Sequence, residues 1–220
     1  FPNPAQYLWF KDDFTEGDGD GDLNWSFTAT GSPPQPASVT GEPNAPGIVS
    51  HSTGTTATGG IFRHRGINTF KLGGGEIQLE TRVRFTILSD ATQEYAYFFG
   101  FGNANAAIPS NGVFFGYNRV VDGHFWSINT VNNSVTTKTV LANSISNFVW
   151  YKLKIIINAA ATSVDFYLNG SLVGTLTTNI PTGSGRECGP GVSIKKSVGT
   201  APRSMEHDYF WLWHQLNPAR

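Results

Sequence analysis

The sequence predicts an all-β domain, a two-sheet antiparallel β-sandwich or jelly roll, on the strength of three observations. Short segments rich in β-branched and aromatic residues follow one another along the chain, and turn residues separate them at regular spacing. The 220 residues include 25 glycines, 12 prolines and 16 phenylalanines, a composition typical of many strands joined by many turns. No long segment has the 3.6-residue periodicity of an amphipathic helix.

Twelve segments carry the strand signal. In chain order they are GGIFRHR (59–65), NTFKL (68–72), EIQLETRVRFTI (76–87), EYAYFFGFG (94–102), NGVFFGYN (111–118), HFWSINTV (124–131), SVTTKTVL (134–141), WYKLKIIIN (150–158), SVDFYLNG (163–170), SLVGTLTT (171–178), GVSIKKSV (191–198) and HDYFWLWHQ (207–215). Segments such as YAYFF and VFFGY are apolar on both faces, which predicts that they lie at the centre of two large stacked sheets.

Turn chemistry predicts two hairpins and one irregular segment. Asn169-Gly170 separates two strand segments, and both residues tolerate the positive φ that a two-residue hairpin turn requires. Asn132-Asn133 predicts a second hairpin in the same way. Residues 30–47 are dense in proline, glycine and serine, so we expect this loop to be irregular.

Bulk properties exclude several classes of function. We expect residues 1–220 to form one domain, which is long enough to bury a sizeable core. The formal net charge is -1 and no basic run is present, so nucleic-acid binding is not expected. No apolar run reaches the roughly 18 residues of a membrane span. Cys188 is the only cysteine, so stability must come from the core, a bound ion or oligomerisation.

The stretch GGGEIQLETRVRF (73–85) raises the question of an active site, because Glu-Ile-x-Leu-Glu resembles the two-carboxylate strand of retaining sugar hydrolases. Such an enzyme needs two carboxyl groups about 5 Å apart. Residues four apart on a strand are separated by roughly 13 Å at the backbone, and the central residue is Gln78 rather than an aspartate. One predicted face carries Ile77, Leu79, Val83, Phe85 and Ile87, and the other carries Glu76, Gln78, Glu80, Arg82, Arg84 and Thr86. We therefore expect a self-neutralising outer strand face.

The second half of the chain resembles one fold family. WYKLKIIINAAATSVDFYLNGSLVGTLTTNIPTG (150–183) looks like the late strands of concanavalin A-like lectin/glucanase (LamG-like) jelly rolls, and DYFWLWHQ from Asp208 looks like their closing strand. GGGEIQLETRVRF looks like an early strand of the same family. TNIPTGSGRECGPGVSIKKSVGTAPR (178–203) is similar to such domains in bacteriophage tail and structural proteins. The resemblance implies the concanavalin A-like jelly roll and a phage context.

The same resemblance places the catalytic strand of the enzymes after an aromatic strand like YAYFFGF. The segment at that place is GVFFGYNR, which has no carboxylate. Jelly-roll alginate lyases carry Arg-x-Glu-x-Arg and Gln-Ile-His strands, whereas this chain has ETRVR but no Gln-Ile-His. We therefore predict no catalytic residues, with a glycan depolymerase, either hydrolase or lyase, as the alternative.

In this family the concave sheet binds sugars, which need an aromatic plate and a few polar groups. The candidate glycan-binding residues are Tyr95, Tyr97, Tyr117, Arg119, His124, Trp126 and Asn129. The alternative for each aromatic residue is a place in a hydrophobic core or between the sheets. For Phe98, Phe99, Phe114 and Phe115 we predict the core, because phenylalanine offers no polar group.

We expect that no cofactor is required, although the resemblance implies a structural calcium ion. Its ligands would be Asp12 or Asp13, Gly47 and Asp208, and the alternative for Asp208 is simply to cap the start of a strand. The loop EGDGDGD (16–22) has the one-three-five carboxylate spacing of a calcium loop. It lacks the glycine at position six and the glutamate at position twelve, so we favour an acidic surface turn.

These observations predict a non-enzymatic module on a phage tail or capsid surface. Such a module would be located on the virion surface or outside the cell. It would bind host-surface polysaccharide or decorate the particle through other virion proteins, and we expect a homo-oligomer. A purely structural decoration protein without a ligand is the third hypothesis.

Overall fold

A computed structural model of the chain describes residues 3–16, 23, 25–103, 109–183 and 187–218. In this part of the chain the strands are β1 (Tyr7–Asp12), β2 (Ser26–Thr30), β3 (Ala37–Val39), β4 (Ile48–Ser52), β5 (Gly60–His64), β6 (Ile77–Phe85), β7 (Glu94–Gly102), β8 (Gly112–Asn118), β9 (Phe125–Asn132), β10 (Val135–Ser144), β11 (Tyr151–Ile157), β12 (Val164–Leu168), β13 (Ser171–Leu176), β14 (Gly189–Val198) and β15 (Ser204–Gln215). A single turn of helix, α1 (Arg119–Asp122), joins β8 to β9.

The strands form two antiparallel sheets, which confirms the predicted fold class. The eight-stranded sheet has the order β13-β12-β11-β6-β15-β4-β3, and β1 pairs with the second half of β15 beside β4. The seven-stranded sheet has the order β10-β9-β8-β7-β14-β5-β2. Aromatic strands β7 and β8 lie at the centre of the second sheet, as their two-sided apolar character predicts.

The main hydrophobic core lies between the two sheets. Strand β6 shows the predicted period-two alternation, because Ile77, Leu79, Val83 and Phe85 are buried while the residues that alternate with them, such as Gln78 and Arg84, are partly exposed. The prediction that Ile87 shares this buried face is wrong. Strand β6 ends at Phe85, and Ile87 is 48% exposed in the following bend.

The two predicted hairpins are present. Asn169 (φ 50°) and Gly170 (φ 85°) form the turn between β12 and β13. The turn between β9 and β10 uses Asn133 (φ 50°) and Ser134 (φ 64°), one residue later than predicted. Asn132 still pairs with Val135 in the β9–β10 ladder, so the two turn residues with positive φ are the two that follow it.

Several strand predictions were wrong. Strands β1, β2 and β4 were missed, and residues 30–47 are not wholly irregular because β3 lies within them and pairs with β4. NTFKL (68–72) is not a strand; Phe70 forms an isolated bridge with Cys188. No helix in the described residues is long and apolar enough to cross a membrane.

Candidate functional site

The outer face of the seven-stranded sheet holds a pocket of about 170 Å³, which we call the β8–β9 pocket. Its walls come from β7, β8, α1, β9 and β10. The lining residues are Ala96, Phe114, Gly116, Tyr117, Asn118, Val121, Asp122, Ser127, Asn129, Thr136 and Lys138. This volume is below the roughly 300 Å³ at which pockets for drug-sized ligands begin. The pocket therefore suits one small group, such as a single sugar ring.

The pocket exists because Gly116 leaves a gap between Phe114 and Asn118 on the outer face of β8. A Cβ atom at Gly116 would lie 2.9 Å from the Asn129 Nδ2 and 3.0 Å from the Ser127 Oγ, so any side chain there would fill the space. Phe114 stands two residues earlier on the same face of the strand and forms an apolar wall. Alternation of glycine and phenylalanine thus creates the depression.

A buried polar network lines the opposite side of the pocket. The Asp122 carboxylate forms an ion pair with the Lys138 ammonium group, and the Ser127 hydroxyl lies 3.2 Å from the Asp122 Oδ2. The Asn129 amide donates to the Ser127 Oγ at 3.1 Å. In the described residues the amide oxygen of Asn129 has no hydrogen-bond partner, so it can accept a hydrogen bond from a ligand hydroxyl.

The apolar wall belongs to a small second cluster outside the main core. Its buried members are Phe62, Phe98, Phe114 and Val131, with Ile67 packed against them. The rings of Phe98 and Phe114 are 5.4 Å apart at their centroids, as are those of Phe62 and Phe98. Aromatic pairs at this separation stabilise one another beyond their burial. Phe114 is therefore held rigidly beside the pocket.

The structure corrects four of the predicted glycan-binding residues. Tyr95, Tyr97, Tyr117 and Trp126 are each at most 2% exposed, and all four lie in the core between the sheets. On β7 and β8 the core faces carry Tyr97 and Tyr117, so the residues of opposite parity face outward. Phe98, Phe99, Phe114 and Phe115 are all buried in hydrophobic clusters, as predicted, but Phe98 and Phe114 belong to the outer cluster and not to the main core between the sheets. Both strands are apolar on both faces, so the sequence could not indicate which face packs inward.

The other three predicted residues lie at or near the surface of this sheet. Asn129 lies in the pocket. The half-buried His124 has its Nδ1 atom 3.1 Å from the Tyr117 hydroxyl, and burial raises the pKa of Tyr117. Arg119, on α1, lies 3.7 Å from the Glu94 carboxylate and does not line the pocket.

Gly116, Asp122, Ser127 and Lys138 were missed as site residues. Ser127 could have been predicted from the alternation of side chains on β9. It lies two residues before the candidate Asn129 and therefore shares its face. Nothing local pointed to Asp122, which reaches the pocket only because α1 folds back over β8.

The predicted calcium ligands are close together but are already engaged. The fully buried Asp12 carboxylate accepts hydrogen bonds from the Phe14 backbone (2.9 Å) and the Trp25 indole (2.7 Å). Asp208 accepts from the Arg82 guanidinium at 3.1 Å, although burial raises the pKa of this carboxyl group. Calcium requires six to eight oxygen ligands.

The other predicted calcium ligands, Gly47 and Asp13, offer few free oxygen atoms. Gly47 packs against the Asp13 backbone, and the Asp13 side chain pairs with Lys11 at 2.7 Å. No group of three or more histidine, cysteine or acidic residues in the described parts of the chain could hold a metal. This donor set does not fit a calcium ion, and the acidic loop 16–22 lies outside the described residues apart from Glu16. The acidic surface turn expected there stays a prediction.

The Glu-Ile-Gln-Leu-Glu motif lies on the other sheet. Strand β6 is central in the eight-stranded sheet, and Gln78 donates to Glu76 at 2.8 Å. Glu80 accepts from the Tyr209 hydroxyl at 2.7 Å and pairs with Lys152 at 3.0 Å. Each carboxylate is thus occupied by a neighbouring donor, and neither is near the β8–β9 pocket.

The chain is similar to known proteins in both sequence and fold. The family model for the SO2946-like, C-terminal domain matches residues 44–208. No curated protein sequence matches the chain. A crystal structure of the protein of unknown function SO2946 from Shewanella oneidensis MR-1 superposes with a TM-score of 0.71 at 15% identity, covering 98% of this chain and 89% of that one.

Two further solved structures share the fold. The endo-1,3-beta-glucanase from Streptomyces sioyaensis superposes with a TM-score of 0.61 at 13% identity, covering 98% of this chain and 99% of the enzyme. Botulinum neurotoxin type C, whose cell entry depends on interaction with two ganglioside molecules, gives a TM-score of 0.54 at 11% identity. That match covers 89% of this chain and 44% of the toxin chain. At these identities the similarity shows the fold alone.

Proposed function

The chain belongs to the SO2946-like, C-terminal domain family, and we propose that it is a non-enzymatic carbohydrate-binding module whose ligand site is the β8–β9 pocket. The observation that carries the proposal is the pairing of an apolar wall with buried polar groups in a space for one sugar ring. Phe114 can pack against the C–H face of a sugar, while Asn129 and Lys138 can bond to its hydroxyl groups. Fold relatives that act on a glucan or interact with gangliosides support this choice of ligand class.

The absence of a carboxylate pair at the pocket supports a binding role rather than hydrolysis. A glycosidase needs two carboxyl groups, about 5 Å apart for retention or roughly 6.5–9.5 Å apart for inversion. Of the described residues that line the pocket, Asp122 alone has a carboxyl group, and it is paired with Lys138. We therefore assign Asp122 to orienting Lys138 and Ser127.

One observation favours the enzyme alternative, a polysaccharide lyase. Tyr117 and His124 form a hydrogen-bonded pair beside the pocket, and a tyrosine–histidine pair can move a proton. The Tyr117 ring faces the core and is only 1% exposed, which limits its access to substrate. Formation of unsaturated products that disappears in His124→Ala would establish the lyase and overturn the binding-only proposal.

Filling the pocket is expected to abolish glycan binding without unfolding the domain. We expect Gly116→Ala to weaken binding at least about tenfold, because one added methyl group in a fitted pocket costs that much. Strand β8 has an ordinary extended backbone at Gly116, so the new methyl displaces only the ends of the Asn129 and Ser127 side chains. Binding to a panel of bacterial surface polysaccharides and β-glucans should be measured by calorimetry, with reducing ends and unsaturated products assayed in parallel.

Gly74→Ala is the matched control, since its new methyl group would lie 3.7 Å from the nearest atom, and it should bind like the unchanged protein. Equal affinity in Gly116→Ala would mean that the pocket is not the site. A complete lack of binding across the panel would favour the purely structural decoration protein.

We further propose that the module is displayed on the surface of a phage particle, where it meets host-surface polysaccharide or other virion proteins. The resemblance of residues 178–203 to phage structural domains supports this location. The proposed homo-oligomer is supported by Val120, Val121 and Phe125, which are 61%, 66% and 39% exposed near one another on α1 and β9. Adjacent exposed apolar residues are typical of protein interfaces.

The oligomer can be tested by light scattering at micromolar concentration. We expect a mass that is a multiple of 23.9 kDa, and we expect Val121→Lys to shift it towards the monomer. A monomeric mass for the unchanged protein would contradict the homo-oligomer.

A further inference from the structure

The outer face of the eight-stranded sheet carries a row of aromatic and charged residues that the proposed function does not use. Strand register places five residues side by side on adjacent strands. In order across β12, β11, β6, β15 and β1 they are Tyr167, Lys154, Glu80, Trp211 and Lys11. With neighbouring strands about 4.8 Å apart, the row spans roughly 19 Å. We call it the cross-strand row.

Two surface cavities lie along this row and share residues. One cavity of about 330 Å³ is bounded by Glu80, Lys154 and Tyr167, among others. The second, of about 420 Å³, is bounded by Lys11, Tyr209 and Trp211, together with the same Glu80 and Lys154. Because both cavities contact Glu80 and Lys154, they form one groove that runs across the strands.

A hydrogen bond, an ion pair and a cation–π contact connect the side chains that line the groove. Glu80 accepts from the Tyr209 hydroxyl at 2.7 Å and pairs with Lys152 at 3.0 Å, which fixes the ring of Tyr209. Burial and this hydrogen bond raise the pKa of Tyr209, so its hydroxyl stays neutral and donating. The Lys154 ammonium lies 5.8 Å from the centroid of Trp211. Charged and aromatic groups are thus held in fixed positions relative to one another.

The balance of charge along the groove is positive. Lys11, Lys152 and Lys154 line it, and Glu80 is the one carboxylate among its described lining residues. Lys152 is paired with Glu80, and Lys11 with Asp13. Lys154 has no carboxylate within ion-pair distance in the described residues. Lys154 lies between Tyr167 and Trp211 in the cross-strand row, and a lysine there without a carboxylate partner is suited to an acidic ligand.

We propose that the cross-strand row is a second binding site, for an acidic polysaccharide that carries carboxylate or sulfate groups. Lys154 pairs with an acidic group of the ligand, and Trp211 and Tyr167 pack against the sugar rings on either side. The repeat of aromatic and basic residues across five strands matches an extended chain laid perpendicular to the strands. This site lies on the opposite sheet from the β8–β9 pocket and does not depend on it.

Single-stranded nucleic acid also binds aromatic and basic grooves, but the charges here favour a polysaccharide. Nucleic-acid affinity depends on many neutralised phosphates. In this groove Lys154 is the lining lysine left without a carboxylate partner in the described residues, and the chain carries a net charge of -1. A ligand with about one charge per repeat fits better than one with a charge on every unit.

The test is calorimetric binding of hyaluronate, with one carboxylate per disaccharide, and κ-carrageenan, with one sulfate per disaccharide, to the whole chain. Neutral dextran and oligo(dT) are the comparison ligands. We expect both acidic polysaccharides to bind, dextran and oligo(dT) not to bind, and affinity to fall as salt rises. Lys154→Ala and Trp211→Ala should each weaken binding about tenfold. Each variant removes one contact, a charge-assisted hydrogen bond or the packing of an aromatic ring on a sugar, and the loss of one such contact lowers affinity by about that factor.

Two control variants keep the outcome interpretable. Lys71→Ala removes the same charge from an exposed lysine outside the groove and should bind like the unchanged protein. Gly116→Ala fills the other pocket and should also keep this binding, so the two sites can fail separately. Equal loss in Lys71→Ala and Lys154→Ala, or equal binding of oligo(dT) and hyaluronate, would overturn the proposal.

Discussion

Lowering the pH from 7 to 5 is expected to reduce the free energy of unfolding by at least about 2 kcal/mol. The cause is a pair of histidines buried between the sheets, His51 and His207, each 1% exposed. Burial, and then the nearby Arg63, lowers the pKa of His207 from 6.5 to about 3. The pKa of His51 is also well below its ordinary value, through burial, the charge of His207 and then Arg63.

Proton linkage determines the direction in which the free energy of unfolding changes with pH. Between pH 6.5 and the lower pKa of the folded state, the unfolded chain binds protons that the folded chain excludes, so stability falls as pH falls. From pH 6.5 to 5, His207 alone accounts for about 2 kcal/mol, and His51 adds to it. For a domain of this size about 2 kcal/mol corresponds to a fall in Tm of roughly 4–8 °C.

The surroundings of the pair make protonation costly. The two rings meet edge to face with centroids 5.2 Å apart, so two imidazolium charges would repel at short range. His207 Nε2 lies 3.3 Å from the Tyr97 hydroxyl, while neither nitrogen of His51 has a partner in the described residues. No nearby carboxylate compensates a charge on His51 in that part of the chain.

The measurement is urea unfolding at pH 7, 6 and 5. His51→Gln and His207→Gln can lower stability at every pH, but each should make the difference between pH 7 and pH 5 smaller. His124→Gln, at the surface of the sandwich, should keep the full difference. Equal stability of the unchanged protein at pH 7 and pH 5 would show that the pair does not resist protonation.

Replacing Arg84 is expected to destabilise the domain by about 3 kcal/mol. Arg84 donates to Glu206 at 2.5 Å, also pairs with Glu42, and stacks over the Trp150 ring at 4.5 Å. Arg84→Ala would leave the largely buried Glu206 carboxylate without this partner, and breaking a buried pair costs about 3–5 kcal/mol. We expect a cost at the lower end of this range because the second partner of Arg84, Glu42, is partly exposed.

The same cluster attaches the loop before β4 to the sheet. The hydrogen bond from Trp150 and then the one from Arg84 lower the pKa of Glu42, and Glu42 bridges to Ala45 within that loop. Arg84→Lys keeps the charge but loses the two-pronged contact, so its stability should be intermediate. These values can be measured by denaturant unfolding.

The control is Lys71→Ala, which breaks an exposed pair with Glu187 and should change stability by less than about 1 kcal/mol. In the double variant Arg84→Met with Glu206→Gln, part of the loss should return, because no charge is then left buried. A change in the free energy of unfolding below about 1 kcal/mol in Arg84→Ala would mean that the cluster contributes no more than exposed surface ion pairs do.

Local patterns in the sequence determined the fold class, most strands and both hairpins. Alternation on β6 assigned Leu79 and Val83 to the core, and the turn residue Gly170 marked a hairpin, because each signal depends on neighbours within a few positions. Strands β1–β4 escaped prediction since they are short and are stabilised by pairing with distant partners, β5 or β15, or with one another. Of the predicted ligand residues, Asn129 and Tyr117 line the pocket, and Tyr117 does so although its ring belongs to the core.

Only the tertiary structure decided which side of each aromatic strand faces outward. On β7 and β8 both faces are apolar, so sequence parity could not distinguish the inward-facing Tyr117 from the outward-facing Phe114. The cross-strand row likewise depends on the register of five strands that are far apart in the chain, from Lys11 to Trp211. Register is set by the packing of whole sheets, a non-local quantity that no short stretch of sequence contains.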